Sequence, residues 1–194
     1  MKDLLRVHLS DKFTQRNIHP MPVRSVFILT FLLSSLITYS QGTNTNIDNI
    51  RQVVEQINKD SGYSKMVLNN EEFMEEPTDG GGELTGYFKN GHLVKIVEWI
   101  GLSSCISITE YYVQSRKLIF AYTQEKDFAY NANVNTFDSQ KQVVTMECRF
   151  YFENDKLIKN ILKGESRCGG KPSKEWAKNY LDDCARYQKL LKNK

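Results

Sequence analysis

Tyr87-Phe88-Lys89-Asn90-Gly91-His92-Leu93-Val94-Lys95 recurs twice without a gap, as Tyr112-Val113-Gln114-Ser115-Arg116-Lys117-Leu118-Ile119-Phe120 and as Tyr151-Phe152-Glu153-Asn154-Asp155-Lys156-Leu157-Ile158-Lys159. Each copy runs tyrosine, apolar, polar, turn pair, basic, leucine, β-branched. Asn-Gly between apolar runs is a strong hairpin signal, because both residues accept a positive φ. Asn154-Asp155 is a fair substitute and Ser115-Arg116 a poor one. Each copy of this internal repeat therefore reads as one hairpin, giving about six antiparallel strands. Their expected extents are 83–89, 92–100, 104–114, 117–124, 142–153 and 156–164. Turns of two or three residues both fit, so the cross-strand register stays open.

Outward from the repeat, residues 125–141 are polar and Asn-rich, either a long loop or an extension of the flanking strands. Upstream, Tyr63 to Leu68 reads as a further short strand. Ile47, Ile50, Val53, Val54 and Ile57 recur at helical spacing, with Asn46 as the expected cap and Asp60-Ser61-Gly62 as the stop. Downstream, Trp176, Tyr180, Cys184, Tyr187 and Leu191 line one stripe of a helix that Ser173 would cap; Asp182 and Arg186 form an i,i+4 pair beside it. The expected fold is α+β: an antiparallel sheet of about six strands in three hairpins, covered by an N-terminal and a C-terminal helix.

Alternation along the strands puts Leu84, Gly86 and Phe88 on one face, matched by Thr109, Tyr111 and Val113 and by Cys148, Phe150 and Phe152. This is the expected core face. The opposite face carries Tyr87, Tyr112 and Tyr151 in a row, with Thr85, Glu110 and Arg149 beside them. Tyrosine joins a rigid apolar body to a polar tip, which suits contact with a protein, peptide or glycan. The candidate ligand-binding residues are therefore Tyr87, Tyr112, Tyr151, Glu110 and Arg149. Cross-strand aromatic packing explains such a row equally well, and a helix could cover it.

Residues 1–40 read as a signal peptide. Lys2, Arg6, Lys12, Arg16 and Arg24 precede an apolar run from Val26 to Ile37, and Thr38 and Ser40 place small residues ahead of Gln41. That run has twelve residues, whereas a membrane span needs about 20. No stable membrane span is expected after cleavage. Met21 is an alternative start. Residues 41–46 form a polar tether and 47–194 a single domain in an exported, periplasmic or extracellular protein.

The full chain carries 26 Lys+Arg and 23 Asp+Glu; five of those bases and two of those acids lie in the leader, leaving 21 of each. A neutral domain lacks the basic stripe that nucleic acid requires, so no nucleic-acid partner is expected. Residues 48–83 nevertheless hold nine acids against three bases, and 141–194 hold thirteen bases against seven acids. The acids Glu71, Glu72, Glu75, Glu76 and Asp79 lead into Gly80-Gly81-Gly82. Clustered carboxylates suit calcium, but this spacing is not that of an EF-hand, and a solvated mobile loop is the simpler reading.

Four cysteines in an exported chain point to disulfides. Of the three pairings, Cys168–Cys184 would tie the Gly169-Gly170 loop to the last helix, leaving Cys105–Cys148; four reduced thiols are the alternative. Beyond the leader, His92 is the only histidine, and it sits at a turn. No imidazole is placed for a triad, and His count excludes a histidine-rich metal site. No phosphate-cradling or dinucleotide glycine motif is present, so no cofactor is expected. A hydrolase using carboxylates alone stays open through Glu98, Glu110 and Glu147 on strands.

From Asp79-Gly80-Gly81-Gly82-Glu83-Leu84-Thr85-Gly86-Tyr87 through Leu118-Ile119-Phe120 the chain resembles uncharacterised small exported proteins of Bacteroidota-type bacteria, and its Tyr-x-x-Asn-Gly-x-Leu unit is similar to MORN-like hairpin repeats. Neither resemblance implies a catalytic residue. Repeats in MORN-like arrays are evenly spaced, whereas here they lie 25 and 39 residues apart. The sequence thus points to a non-enzymatic exported binding or accessory protein. An inhibitor or immunity-type protein presenting the 71–79 loop to an envelope or secreted enzyme is the alternative.

Overall fold

The computed structural model describes residues 46–168 and 174–192. The expected signal peptide, most of the expected tether and the expected Ser173 cap lie outside the described residues. The described residues belong to one compact unit. Helix α1 (residues 46–59) is followed by β1 (Ser64–Asn69), the single turn α2 (Asn70–Phe73), β2 (Gly82–Lys89), β3 (His92–Gly101), β4 (Cys105–Gln114), β5 (Lys117–Asn131), β6 (Thr136–Glu153), β7 (Lys156–Gly164) and α3 (Lys174–Leu190). The fold is α+β. Seven strands form one antiparallel sheet whose spatial order is the chain order, and β1 is the strand beyond the expected six.

All three repeats close with two-residue turns. Lys89 pairs with His92, Gln114 with Lys117 and Glu153 with Lys156. Both turn residues have positive φ in each case: 50° and 77° at Asn90-Gly91, 51° and 63° at Ser115-Arg116, 50° and 61° at Asn154-Asp155. That double left-handed geometry matches the twist of the strands it joins. Ser115-Arg116 adopts it against its own preference, because the hairpins on either side impose the register.

A β-bulge accompanies every turn at the same repeat position. Tyr87 pairs with Lys95 but Phe88 with Leu93, leaving Val94 as the extra residue; Ile119 and Ile158 are the equivalents. One inserted residue reverses the facing of everything after it. Each repeat therefore turns its tyrosine and the residue opposite it to one face, while Phe88–Leu93, Val113–Leu118 and Phe152–Leu157 take the other.

Those two faces carry separate cores. Under α3 lie Leu84, Ile96, Tyr111, Ala121, Phe150 and Phe152, against Tyr180, Cys184, Tyr187 and Leu191 of the helix stripe. This is the core face expected from alternation. On the other face Tyr112, Phe120 and Tyr151 pack under Ile47 and Ile50 of α1, flanked by Ile119 and Ile158. The bulges thus widen the platform on which α1 rests. Fully burying a large apolar side chain is worth roughly 1.5–3 kcal/mol, which is what holds so short a helix in place.

Local details depart from expectation. Residue 46 is already helical, and its amide donates to Glu153 at 2.7 Å. Asp60 ends α1 by accepting from the Gly62 N–H at 2.9 Å and pairing with Lys89 at 2.7 Å. Asp182 pairs with Lys178, because Arg186 turns to Asp183 and donates to the Phe73 carbonyl at 2.6 Å. Residues 125–141, by contrast, take one of the two expected arrangements and extend the flanking strands: β5 and β6 run on as a two-stranded ribbon beyond both neighbours, with Tyr130, Val134, Phe137, Val143 and Val144 exposed.

The cysteine pairing is Cys105–Cys168, with Cα atoms 6.2 Å apart, and Cys148 and Cys184 are free and buried. The expected Cys168–Cys184 and Cys105–Cys148 bridges are both absent. Cys105 sits level with Asp127 and Cys148 level with Thr123, four residues along β5 and on opposite sides of it. Two strand spacings of about 4.8 Å already exceed the ~7 Å limit for a bridge. Buried Glu125 brings Cys168 to Cys105 instead. Its carboxylate accepts from the Ser166 hydroxyl at 2.9 Å and from the Arg167 and Cys168 N–H groups at 3.2 and 3.4 Å. Gly164 permits the preceding bend: its φ is +76°, and a Cβ there would stand 1.9 Å from the Thr145 carbonyl oxygen.

Candidate functional site

The tyrosine row forms, but it lies beneath structure rather than facing solvent. Tyr112 and Tyr151 are 1% and 4% exposed under α1. Tyr87 is half-buried against Tyr63, ring centroids 6.1 Å apart, with the Lys65 ammonium over its ring. Helix α1 covers Tyr112 and Tyr151, so these two rings are packing residues, while Tyr87 lies outside that cover. Glu110 and Arg149 fare differently. They stand one rung further from the turns, where their side chains keep 26% and 29% of their exposure.

That rung runs Thr85, Val97, Glu110, Tyr122, Arg149, Ile161 across six strands. The next runs Trp99, Ile108, Gln124, Glu147. Apart from buried Thr85, they make a half-exposed surface on the α1 face that the short α1 does not roof. Two clusters order it. In the first, the Tyr112 hydroxyl donates to Glu110 at 2.5 Å and lies 2.8 Å from Asn58 Oδ1; Lys95 reaches Glu110 and Asn58 at 3.1 Å each. In the second, the Tyr122 hydroxyl donates to Glu147 and accepts from Gln124 at 3.1 Å. Arg149 reaches Glu147 at 3.2 Å, and its guanidinium lies 4.8 Å over the Tyr122 ring.

Protonation follows from these contacts. Burial, then the Glu147 carboxylate, pushes the Tyr122 hydroxyl up to about 12. Burial and Glu110 push Tyr112 further in the same direction. The Tyr122 hydrogen bond, with Arg149 behind it, holds Glu147 below the usual carboxylate range. Both tyrosines are fixed donors at neutral pH, and Glu147 is a fixed acceptor. Such groups hold a ligand; Glu147 in this state has no proton to give a leaving group.

At the edge of this surface α1 and the sheet form a groove of about 330 Å³, walled by Arg51, Val54, Glu55, Asn58 and Lys59 and floored by Phe120 and Tyr151. Of the five expected site residues, Tyr151 floors this groove, Tyr112 hydrogen-bonds its wall residue Asn58, and Glu110, Arg149 and Tyr87 lie outside its lining. Tyr122, Gln124 and Trp99 were not anticipated. Two bulges hide them: uninterrupted alternation from Leu118 would send Tyr122 and Gln124 to the α3 face but for Ile119, and alternation from Leu93 would send Trp99 there but for Val94.

No family model, curated protein sequence or solved structure matches this chain.

The remaining candidates fall elsewhere. Glu98 faces α3, separated by the sheet from Glu110 and Glu147, so the three strand carboxylates do not form one site. It accepts from the Tyr187 hydroxyl and from Tyr111 at 3.2 Å. Burial pushes its carboxyl up, Tyr187 and Tyr111 oppose this, and Asp183 adds to it while Arg186 offsets it. A raised folded-state value means stability present at low pH and lost as pH rises through that value. Wild-type stability should therefore contain a component that declines from pH 4.5 upward, and Glu98→Gln should lack it. Denaturation midpoints of both proteins between pH 4 and 8 measure the difference; parallel curves would show that Glu98 is not desolvated.

The 71–79 acids do not gather round a cation site. Glu71 and Glu72 belong to α2, and among the described residues no group of three or more His, Cys, Asp or Glu is arranged to hold a metal. The loop that follows is pinned. The Thr78 hydroxyl lies 2.7 Å from the Gly101 carbonyl, and Asp79 accepts from Ser103. No helix among the described residues is long and apolar enough to cross a membrane.

Proposed function

We propose that this protein is an exported binding module whose ligand surface is the unroofed sheet around Glu110, Tyr122, Glu147 and Arg149, with α1 as one wall. The observation that carries this reading is the pair of locked clusters. Each joins a tyrosine, a carboxylate and a cation on rigid strands, with donors and acceptors fixed in advance; Tyr112 is buried, and Glu110, Glu147 and Arg149 are half-exposed. Preorganisation of this kind lowers the ordering cost of binding. Charges balance within each cluster, which favours a ligand read by hydrogen bonds and ring contacts, a glycan or an extended peptide, over one captured by net charge. The Cys105–Cys168 bridge and the signal-like leader support export.

The test is an amide chemical-shift titration with oligosaccharides and extended peptides. Shifts should concentrate at residues 97–99, 108–110, 122–124 and 147–149. Arg149→Glu should weaken the responding ligand by about tenfold or more, the scale of an interface hot spot, without altering the thermal midpoint by more than a few degrees. Which arm responds identifies the ligand class. Shifts confined to other surfaces, or an unchanged affinity in the variant, would sink the proposal.

The pinned 74–81 loop supports a second reading, an inhibitor of a secreted enzyme, since an inhibitory loop must be rigid. Exposed Glu75 and Glu76 lead its apex. Loss of inhibition on Glu75→Lys/Glu76→Lys, against a hydrolase that wild type inhibits, would favour it; no inhibition across a broad panel would remove it.

A further inference from the structure

The β-bulges have an effect at the turn end of the sheet. Pairing between β3 and β4 stops at Lys95–Tyr112, so the tips of the first two hairpins splay apart. The gap opens into a cleft of about 860 Å³, within the range of small-molecule sites. Val53 and Ile57 of α1 line it from one face of the sheet, and Phe88, Leu93, Val94 and Val113 line it from the strands. Its polar rim is Gln114, Ser115, Arg116, His92, and Gln188 and Lys192 at the end of α3. No carboxylate lines the cleft, and its Lys and Arg side chains are Arg116 and Lys192. Neither makes an ion pair among the described residues.

We propose that this cleft binds a single-chain anionic amphiphile, a fatty carboxylate, with its hydrocarbon among the six apolar side chains and its carboxylate at Arg116 and Lys192. The chemistry follows from the lining. Apolar walls supplied from both a helix and three strands suit a chain of methylene groups, each worth about 0.8 kcal/mol when buried. An unpaired guanidinium at the mouth suits a bidentate carboxylate. An extended peptide fits less well. It needs a free strand edge, and the unpaired stretches, 92–94 and 113–115, are short and end in turns. This site is separate from the unroofed sheet surface, and its ligand does not depend on the reading given there.

The experiment uses the intact domain and three probes of equal chain length below their micelle concentrations: dodecanoate, dodecanol and dodecyltrimethylammonium. Calorimetry should show saturable one-to-one binding of dodecanoate, weaker dodecanol and weakest of all the cation. Arg116→Glu/Lys192→Glu should weaken dodecanoate by about tenfold or more, the worth of a charge-assisted contact, and leave dodecanol unchanged. Val53→Trp, which fills the cleft from the half-exposed side of α1, should weaken dodecanoate and dodecanol alike; unchanged thermal midpoints confirm that both variants fold. No saturable binding of dodecanoate, an equal affinity for the cationic probe, or an affinity indifferent to the charge reversal would each overturn the proposal.

Discussion

Alanine at Tyr112 or Tyr151 should cost about 3–5 kcal/mol of folding stability, the range for removing a large aromatic ring from a packed core. For a domain of this size that lowers the thermal midpoint by roughly 2–4 °C per kcal/mol, so by about 6–20 °C. Both rings are sandwiched between the sheet and α1, and both touch Phe120: centroids lie 5.6 Å from Tyr112 and 4.9 Å from Tyr151. Removing either leaves a void directly under the helix. Neighbouring side chains cannot refill it, because the bulges fix Ile119 and Ile158 beside it. Tyr87→Ala should cost far less, since Tyr87 sits half-buried against Tyr63 and outside the α1 core.

Tyr112→Phe separates the ring from the hydroxyl. It keeps the packing but withdraws the donor from Glu110, where a hydrogen bond to a charged group is worth about 1.5–3 kcal/mol. Lys95 still pairs with Glu110, so the loss should fall at the low end of that range. Urea denaturation followed by circular dichroism would rank the variants. If Tyr112→Ala unfolds within about 1 kcal/mol of wild type, the ring is not buried under α1, and the assignment of the row to packing fails.

The same rings show how far the sequence alone carries. Three gapless copies of one nine-residue unit were enough to establish hairpins, antiparallel order and the partition of Leu84, Tyr111 and Phe150 from Tyr87, Tyr112 and Tyr151. Period-two alternation is local, and it survives wherever the strand is regular. The α3 stripe was legible for the same reason, its period being 3.6. Whether a helix covers the tyrosine face is a tertiary matter. Ile47 and Ile50 announce an apolar helix face, yet nothing in their spacing names the surface they meet.

The bulges mark the other limit. A single extra residue at Val94, Ile119 and Ile158 reverses the facing of each return strand, and no residue type in the repeat distinguishes a bulged β-branched position from a paired one. Tyr122 and Gln124 were lost from the candidate site on that account, although Glu110 and Arg149, which precede the bulges or lie on the outgoing strands, were placed on the right face. Residues 125–141 left a loop and a strand extension equally open by composition, because a two-stranded ribbon open on both sides needs few core residues; the strands extend. The cysteine pairing was illegible for a stronger reason: it depends on Glu125, a buried carboxylate that gathers Ser166, Arg167 and Cys168, a contact about 40 residues distant in the chain.

Removal of that bridge carries the other large expected effect. Cys105 and Cys168 are 63 residues apart in sequence, and closing a loop of that length restricts the unfolded chain by about 4 kcal/mol in the chain-entropy account. Cys105→Ala/Cys168→Ala should therefore lose about 2–5 kcal/mol, and reduction of the wild type should lose the same. The loop spans β4, β5, β6 and β7, so the cross-link joins the start of a central strand to the segment leading toward α3. Without it that segment rests on noncovalent contacts, the Glu125 hydrogen bonds, the Arg167–Asp127 ion pair at 3.5 Å and the Glu165 N–H to the Thr145 carbonyl at 3.0 Å among them.

Thiol chemistry tests the pairing independently of stability. Burial pushes the Cys148 thiol up to about 11 and the Cys184 thiol up to about 12, so neither ionises near neutral pH and neither is reached by an alkylating reagent in the folded protein. The native protein should resist labelling; denatured without reductant, it should label at Cys148 and Cys184 only. Peptide mapping that instead finds Cys168 joined to Cys184, or a midpoint unmoved by reduction, would contradict the bridge. A double variant that is destabilised while wild-type labelling remains confined to Cys148 and Cys184 would show that one covalent bond, placed by one buried glutamate, secures the passage from the sheet to the helix that covers it.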